Sequence, residues 1–260
     1  MHPLVNIALL AAKDAGKFIY RHLEQVESLT VEKKGRSDFV TQVDKKAEQI
    51  IVQTIRKYYP DHDILGEEGG EQGGGQSDVR WIIDPLDGTT NFLHKIPHFA
   101  VSIGVEVRGQ LEHGVVFNPC TDELYHASKG EGATLNNRRI RVSKTVHMED
   151  AVIGTGFPIR KPDTLDTYLP MLTRVANESA GLRRAGAAAL DLAYVASGRL
   201  DGYFELNLKA WDIAAGIVLV REAGGQVSEI YGDDKYLLDT GHVCAGNHKI
   251  SGLLAESLRR

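Results

Sequence analysis

Cysteine is scarce. The 260 residues hold two, Cys120 and Cys244, far apart and without Cys-x-x-Cys spacing, so neither a disulfide framework nor a thiolate zinc cluster is expected and a reducing cytoplasm is the natural compartment. Long apolar runs are missing as well: nothing approaches the ~20 apolar residues that cross a bilayer, which excludes a helical membrane span. The N-terminal stretch is apolar only from Leu4 to Ala12, with no Lys or Arg ahead of it, and then becomes a charged amphipathic helix. It reads as structure and not as a targeting signal. A basic excess is also absent, since 30 Lys and Arg face 35 Asp and Glu for a net charge of −5. Binding by phosphate neutralisation needs the opposite imbalance, so no direct sequence-specific nucleic-acid binding is expected. The 10 histidines are scattered and read as surface or satisfied core groups.

What is present is 42% hydrophobic residues, enough to fill the core of one large domain or two closely packed lobes. Apolar positions at helical spacing predict a helix over 4–25 and a second over Asp44–Tyr59, ended by Pro60. Between them Val31–Asp38 has the basic, Gly-containing composition of a mobile loop. A strand at His62–Leu65, a Gly-rich loop over Gly66–Ser77 and a buried strand at Arg80–Asp84 follow, the last ending at Asp84-Pro85. From His98 to Val142 short alternating segments predict a meandering antiparallel sheet. From Ala151 helices and strands alternate: a strand from Ala151, helices Leu165–Ser179 and Ala187–Ser197, strand Gly202–Glu205, helix Trp211–Ala223, strands Gln226–Ile230 and Val243–Gly246, and a closing helix. The change of style suggests an N-terminal α+β lobe over 1–142, carrying a metal site, and a C-terminal α/β lobe over 143–260, carrying substrate-binding segments.

The densest chemical signal is Asp84-Pro85-Leu86-Asp87-Gly88-Thr89-Thr90-Asn91-Phe92. Two carboxylates three residues apart, with Pro85 fixing the turn, can share a hard cation. Gly88 admits a close ligand, and the amides of Gly88 and Thr89 suit a phosphate at a helix start. The plainer alternative is that Asp87 or Thr89 caps a helix. Gly66-Glu67-Glu68-Gly69-Gly70-Glu71 can turn one glutamate inward or be a solvated loop. In Ala210-Trp211-Asp212-Ile213-Ala214-Ala215-Gly216, Asp212 sits at a helix start, where it could be a ligand or an N-cap behind a core tryptophan. In one pocket, Glu67, Asp84, Asp87 and Asp212 would repel a phosphate monoester unless cations filled it, and two Mg²⁺ would restore neutrality.

Taken together, the Gly66-Glu67-Glu68, Asp84-to-Phe92 and Trp211-to-Gly216 segments resemble the inositol monophosphatase family of metal-dependent, lithium-sensitive phosphatases, most of all its bacterial inositol-1-monophosphatases. The likeness runs from the N-terminal helix to Gly246-Asn247-His248-Lys249. It implies an α+β fold, a layered αβαβα sandwich of the sugar-phosphatase type, with two or three Mg²⁺ per subunit between the lobes and a homodimer. Glu67, Asp84 and the Leu86 carbonyl would hold one metal, and Asp84, Asp87 and Asp212 another. Thr89 and Asp44 match a Thr–Asp pair that orients the attacking water, which Glu67 and Thr89 would hold. The Gly88 and Thr89 amides would bind phosphate. Asp87, Gly186, Ala187, Ala188, Glu205 and Asp212 match positions that take sugar hydroxyls, with Arg183 nearby, and Lys33 matches a mobile-loop lysine. Ala187 stands where many relatives carry Thr or Ser, and Lys209 where some animal members carry His.

The activity so implied is hydrolysis of inositol 1-phosphate and related small polyol monophosphates by in-line attack of metal-activated water, without a phosphoenzyme. Relatives with the same metal core act on fructose bisphosphate, NADP or nucleotide 3′-phosphates. Bacterial members are also linked to transcription antitermination in ribosomal RNA synthesis, which makes RNA polymerase and Nus factors candidate partners and Arg183-Arg184 a candidate dimer or partner surface.

Overall fold

The computed structural model describes residues 2–28, 31–35, 38–158 and 162–260; over 28–40 and at 162 the description is of backbone alone. Helix α1 (Pro3–His22) begins where His2 Nδ1 accepts the Leu4 amide at 3.3 Å and Pro3 takes a first-turn place that needs no N–H. Leu4, Val5, Ala8, Ala11, Ala12, Ala15 and Ile19 form its buried stripe. The segment expected as a mobile loop is instead a ribbon: β1 (Val31–Gly35) pairs antiparallel with β2 (Asp38–Thr41). Main-chain pairing needs no apolar alternation, so a basic strand outside the sheets leaves no signal to read. Helix α2 (Gln42–Tyr58) starts two residues before its expected position because Thr41, not Asp44, caps it. Thr41 Oγ1 accepts the Val43 amide at 3.0 Å, and the Asp44 carboxylate accepts the Thr41 amide at 2.9 Å.

Next come β3 (Asp63–Gly66), β4 (Gly70–Gln72), β5 (Val79–Asp87), α3 (Thr89–Leu93), β6 (Ala100–Val107), β7 (Gln110–Asn118), β8 (Glu123–Ser128), β9 (Gly132–Leu135) and β10 (Arg138–Arg139). They form one eight-stranded sheet in the order β10-β9-β8-β7-β6-β5-β3-β4, antiparallel except for the parallel β3–β5 pair. Strand β5 does not end at Asp84-Pro85. It resumes pairing at Asp87, opposite Ala100, after a register shift. Pro85 has no N–H to give the ladder, so the strand bulges there and re-aims the residues on either side.

The remainder contains β11 (Val152–Thr155), α4 (Leu165–Glu178), β12 (Gly181–Arg183), α5 (Ala188–Ala196), β13 (Gly202–Glu205), α6 (Ala210–Glu222), β14 (Gln226–Glu229), α7 (Leu237–Thr240), β15 (Val243–Gly246) and α8 (His248–Arg259). Its five strands are ordered β12-β11-β13-β15-β14. Helices α1 and α2 cover one face of the large sheet around buried Trp81, Ile83, Phe92 and Phe99. Helices α5 and α6 fill the space between the two sheets, while α4 and α8 pack with Ile153, Phe204 and Cys244 on the far side of the small one. The layers therefore run α, β, α, β, α, the sandwich that the resemblance implies.

Candidate active site

The end of strand β5, the start of α3, the turn after β3 and the N-termini of α5 and α6 meet in one place. Asp84 and Asp87 lie on either side of the Pro85 bulge and are buried, 2% and 8% exposed. Asp84 Oδ1 accepts the Leu86 amide at 2.9 Å, and Asp87 Oδ2 accepts the Ala189 amide at 2.7 Å, the latter reaching across to α5. Asp212 is half-buried at the start of α6, where its Oδ2 accepts the Lys209 amide at 2.7 Å. It caps its helix and also lies close enough to charge-couple to both other aspartates. Glu67, just past β3, hydrogen-bonds the Asp84 side chain, while its own amide donates to the Ile83 carbonyl at 3.1 Å.

The electrostatics follow from this crowding. Burial first, and then the charges of Glu67, Asp87 and Asp212, push the Asp84 carboxyl well above the usual carboxylate range. For Asp87 burial again leads, followed by Asp212, against which the Ala189 amide pulls down. Among the described residues no three His, Cys, Asp or Glu side chains close on one point tightly enough to hold a metal by themselves. The donor set still fits Mg²⁺, which prefers hard oxygen and is usually held by one or two carboxylates with waters and substrate phosphate completing its shell.

Beside the carboxylates, Thr89 Oγ1 lies 3.0 Å from Asp44 Oδ1 and 3.1 Å from the Leu86 carbonyl oxygen. Asp44 is buried; burial raises its pKa, and hydrogen bonds from Thr41 and Thr89 oppose the rise. Gly88 has φ 92°, and a Cβ there would come within 3.0 Å of the His98 carbonyl oxygen and 3.3 Å of Ala187 Cβ, so glycine is required on both counts. Gly186, also at positive φ, leads through Ala187 and Ala188 into α5. Glu205, at the end of β13, accepts the Tyr203 hydroxyl and acts electrostatically on Asp87.

Arg183 is set apart: it is exposed on edge strand β12, with Nη1 turned back to the Leu182 carbonyl at 2.9 Å. Its neighbour Arg184 is the one whose charge reaches Asp191 and whose guanidinium lies 5.9 Å from the Phe157 ring centroid. The Lys33 backbone pairs with Phe39 in the β1–β2 ribbon, and its side chain falls outside the described residues. Sequence reasoning missed three participants. The Ala189 amide and Arg184 carry no motif, although a helix N-terminus is a general source of free amides. The third is a pair in which half-buried His98 places Nε2 3.8 Å from Oδ1 of buried Asp191, with burial driving both groups toward their uncharged forms.

Similarity to known proteins decides the lineage. The inositol monophosphatase family profile matches residues 1–260. The chain belongs to the inositol monophosphatase family. It is 53% identical over 253 residues to the Pseudomonas aeruginosa protein named Nus factor SuhB, covering 96% of this chain and 93% of that one. The crystal structure of extragenic suppressor protein suhB from Bartonella henselae superposes with a TM-score of 0.96 at 46% identity, over 100% of this chain and 99% of that one. Inositol monophosphatase from Anabaena sp. PCC 7120 gives a TM-score of 0.89 at 38% identity, over 98% and 95%. Membership supports a phosphatase activity.

Proposed function

We propose that this protein is a cytoplasmic, homodimeric, Mg²⁺-dependent phosphomonoesterase that hydrolyses inositol 1-phosphate and related small polyol monophosphates. The observation that carries this reading is the convergence of Glu67, Asp84, Asp87 and Asp212 beside the Thr89–Asp44 pair. Glu67, Asp84, Asp87, Asp212 and the Leu86 carbonyl would hold the metal, which when bound supplies Lewis acidity and charge compensation for phosphoryl transfer.

The protein groups supply position and direction. Thr89 has one hydroxyl proton; given to Asp44 Oδ1, it leaves the Oγ1 lone pairs to accept from the attacking water, which Glu67 orients from the other side. The Gly88 and Thr89 amides receive phosphate oxygens. Asp87, Glu205, Asp212 and the Gly186-Ala187-Ala188 segment face the polyol, and the methyl of Ala187 gives it no hydroxyl partner. A thiolate route has little to recommend it, because burial pushes Cys120 up to about 11 and Cys244 up to about 12.

The test is phosphate release from inositol 1-phosphate with and without Mg²⁺, comparing the parent with Asp87→Asn. Mg²⁺-dependent release that the variant loses supports the reading. A parent that prefers a nucleotide 3′-phosphate, NADP or fructose bisphosphate overturns the substrate. A second reading, a role beside RNA polymerase and Nus factors in transcription antitermination, is favoured by the Nus factor name of a relative 53% identical to this chain. Capture of those partners by folded Asp87→Asn protein would separate that role from turnover.

A further inference from the structure

Glu48 lies one helical turn beyond Asp44 on α2, so one helix face sends two carboxylates toward the site. Asp44 takes the Thr89 hydroxyl. Glu48, 4% exposed, takes two backbone amides from the turn between β3 and β4: the Glu68 N–H donates to Oε2 at 2.9 Å and the Gly69 N–H to Oε1 at 2.7 Å. One carboxylate oxygen per amide is a bidentate, charge-assisted clasp on the peptide that follows Glu67. On its other side Glu67 is tied to β5 through the Ile83 carbonyl, next to Asp84. The turn is also shaped to admit this carboxylate. A Cβ on Gly66 would fall 2.5 to 2.8 Å from the Glu48 carboxyl atoms, and one on Gly69 would fall 2.7 Å from Oε1.

We infer that Glu48 is a positioning residue for the metal site, holding the peptide after Glu67 so that the Glu67 carboxylate faces Asp84. The inference rests on the metal-dependent reading above and deepens it. In this role Glu48 acts through the Glu68 and Gly69 amides. In Glu48→Gln one oxygen still accepts an amide, but the new NH₂ group opposes the other, which is left without an acceptor.

The experiment combines calorimetric titration of the metal-free protein with Mg²⁺ and backbone amide exchange without metal. In Glu48→Gln the Mg²⁺ dissociation constant is expected to rise about tenfold or more, the usual scale for removing a group that orients a ligand. Exchange at Glu68 and Gly69 is expected to quicken, while Ile51 and Ile55 on α2 keep their protection. Glu48→Asp, which retains two oxygens one methylene short, should fall between parent and Gln, and it carries the same test if Glu48→Gln does not fold. Mg²⁺ affinity within twofold of the parent, or weakened affinity accompanied by lost protection along α2, overturns the role of Glu48. A parent that binds no Mg²⁺ overturns the metal reading, and the role of Glu48 with it.

Discussion

Asp87 is held by a neutral donor and pressed by like charges, so its charge and its shape have separable consequences. In Asp87→Asn the side-chain oxygen can still accept the Ala189 amide now 2.7 Å away, while the repulsion from Asp212 disappears. The metal-free variant is therefore expected to melt a few degrees above the metal-free parent, although phosphate release in Mg²⁺ falls by about 10²-fold or more. Melting below the parent would mean that the Asp87 charge is not under strain. Thr89 makes the complementary case. Thr89→Val keeps the volume and the backbone amide but takes the hydroxyl from between Asp44 and the Leu86 carbonyl. Stability should drop by about 1 kcal/mol, because Asp44 keeps its bonds from Thr41, and kcat by about 10²-fold, with KM little changed. A kcat within twofold of the parent would remove Thr89 from the water-orienting role.

At the scale of elements, helix ends and strand faces carry further consequences. Glu222, in the last turn of α6, accepts the Gly130 amide at 2.9 Å and the Gly132 amide at 2.8 Å, clamping the β8–β9 turn to the opposite end of the helix from Asp212. Glu222→Ala should cost about 1–3 kcal/mol in urea unfolding and leave Mg²⁺-dependent release intact, since Asp212 sits at the other end of the helix. Loss of release would imply that the seat of α6 depends on this clamp.

The face of β7 and β8 beneath the start of α1 carries two buried histidines, His113 and His126. His113 stacks on His2 at 4.3 Å between centroids, its Nδ1 lies 3.1 Å from Ser128 Oγ, and its Nε2 is buried without a partner. Burial first, then the His2 charge, lowers the His113 pKa below 6.5, against opposing pulls from Glu112 and Glu131; burial also lowers that of His126. A base depressed in the fold binds more protons when unfolded, so this contribution to stability is intact above pH 6.5 and declines as pH falls from there toward the folded pKa. In Mg²⁺-saturated protein the Tm of the parent should fall further between pH 8 and pH 5 than that of His113→Gln. Parallel curves would count against the assignment.

Elements were legible in proportion to their pattern. Strands Gly202–Glu205 and Val243–Gly246 match their expected bounds because buried apolar residues fill them. Strands β4 and β12 are three residues long, too short to show a period, and the ribbon β1–β2 has none.

For the molecule as a whole, the site exists only where layers stack. Glu67, Asp84 and Asp87 stood out in the sequence because two short segments hold them, and Asp212 through its own motif. Glu48 and the Ala189 amide were invisible because their roles depend on which helix lies against which strand. The seat of α6 on the large sheet is what brings Asp212 to the others. Ser102 Oγ donates to the Trp211 carbonyl at 3.3 Å, and two residues along the same face of β6 Gly104 leaves room for Ala214, where a Cβ would fall 2.6 Å from Ala214 Cβ. In a core packed as densely as a crystal, that overlap has to be relieved by movement of helix against sheet. Gly104→Ala should therefore destabilise the fold by about 1–3 kcal/mol and also weaken Mg²⁺ binding, as Asp212 retreats with its helix. Adding Ala214→Gly removes the 2.6 Å overlap, leaving only the 3.2 Å contacts with the Ala214 and Ala215 backbone, and should restore most of the Mg²⁺ affinity, while stability recovers only in part because glycine inside a helix costs about 1 kcal/mol. That split distinguishes displaced geometry from general loosening: Mg²⁺ affinity that tracks stability through the parent, the single and the double variant would show that the seating of α6 has no specific hold on the site.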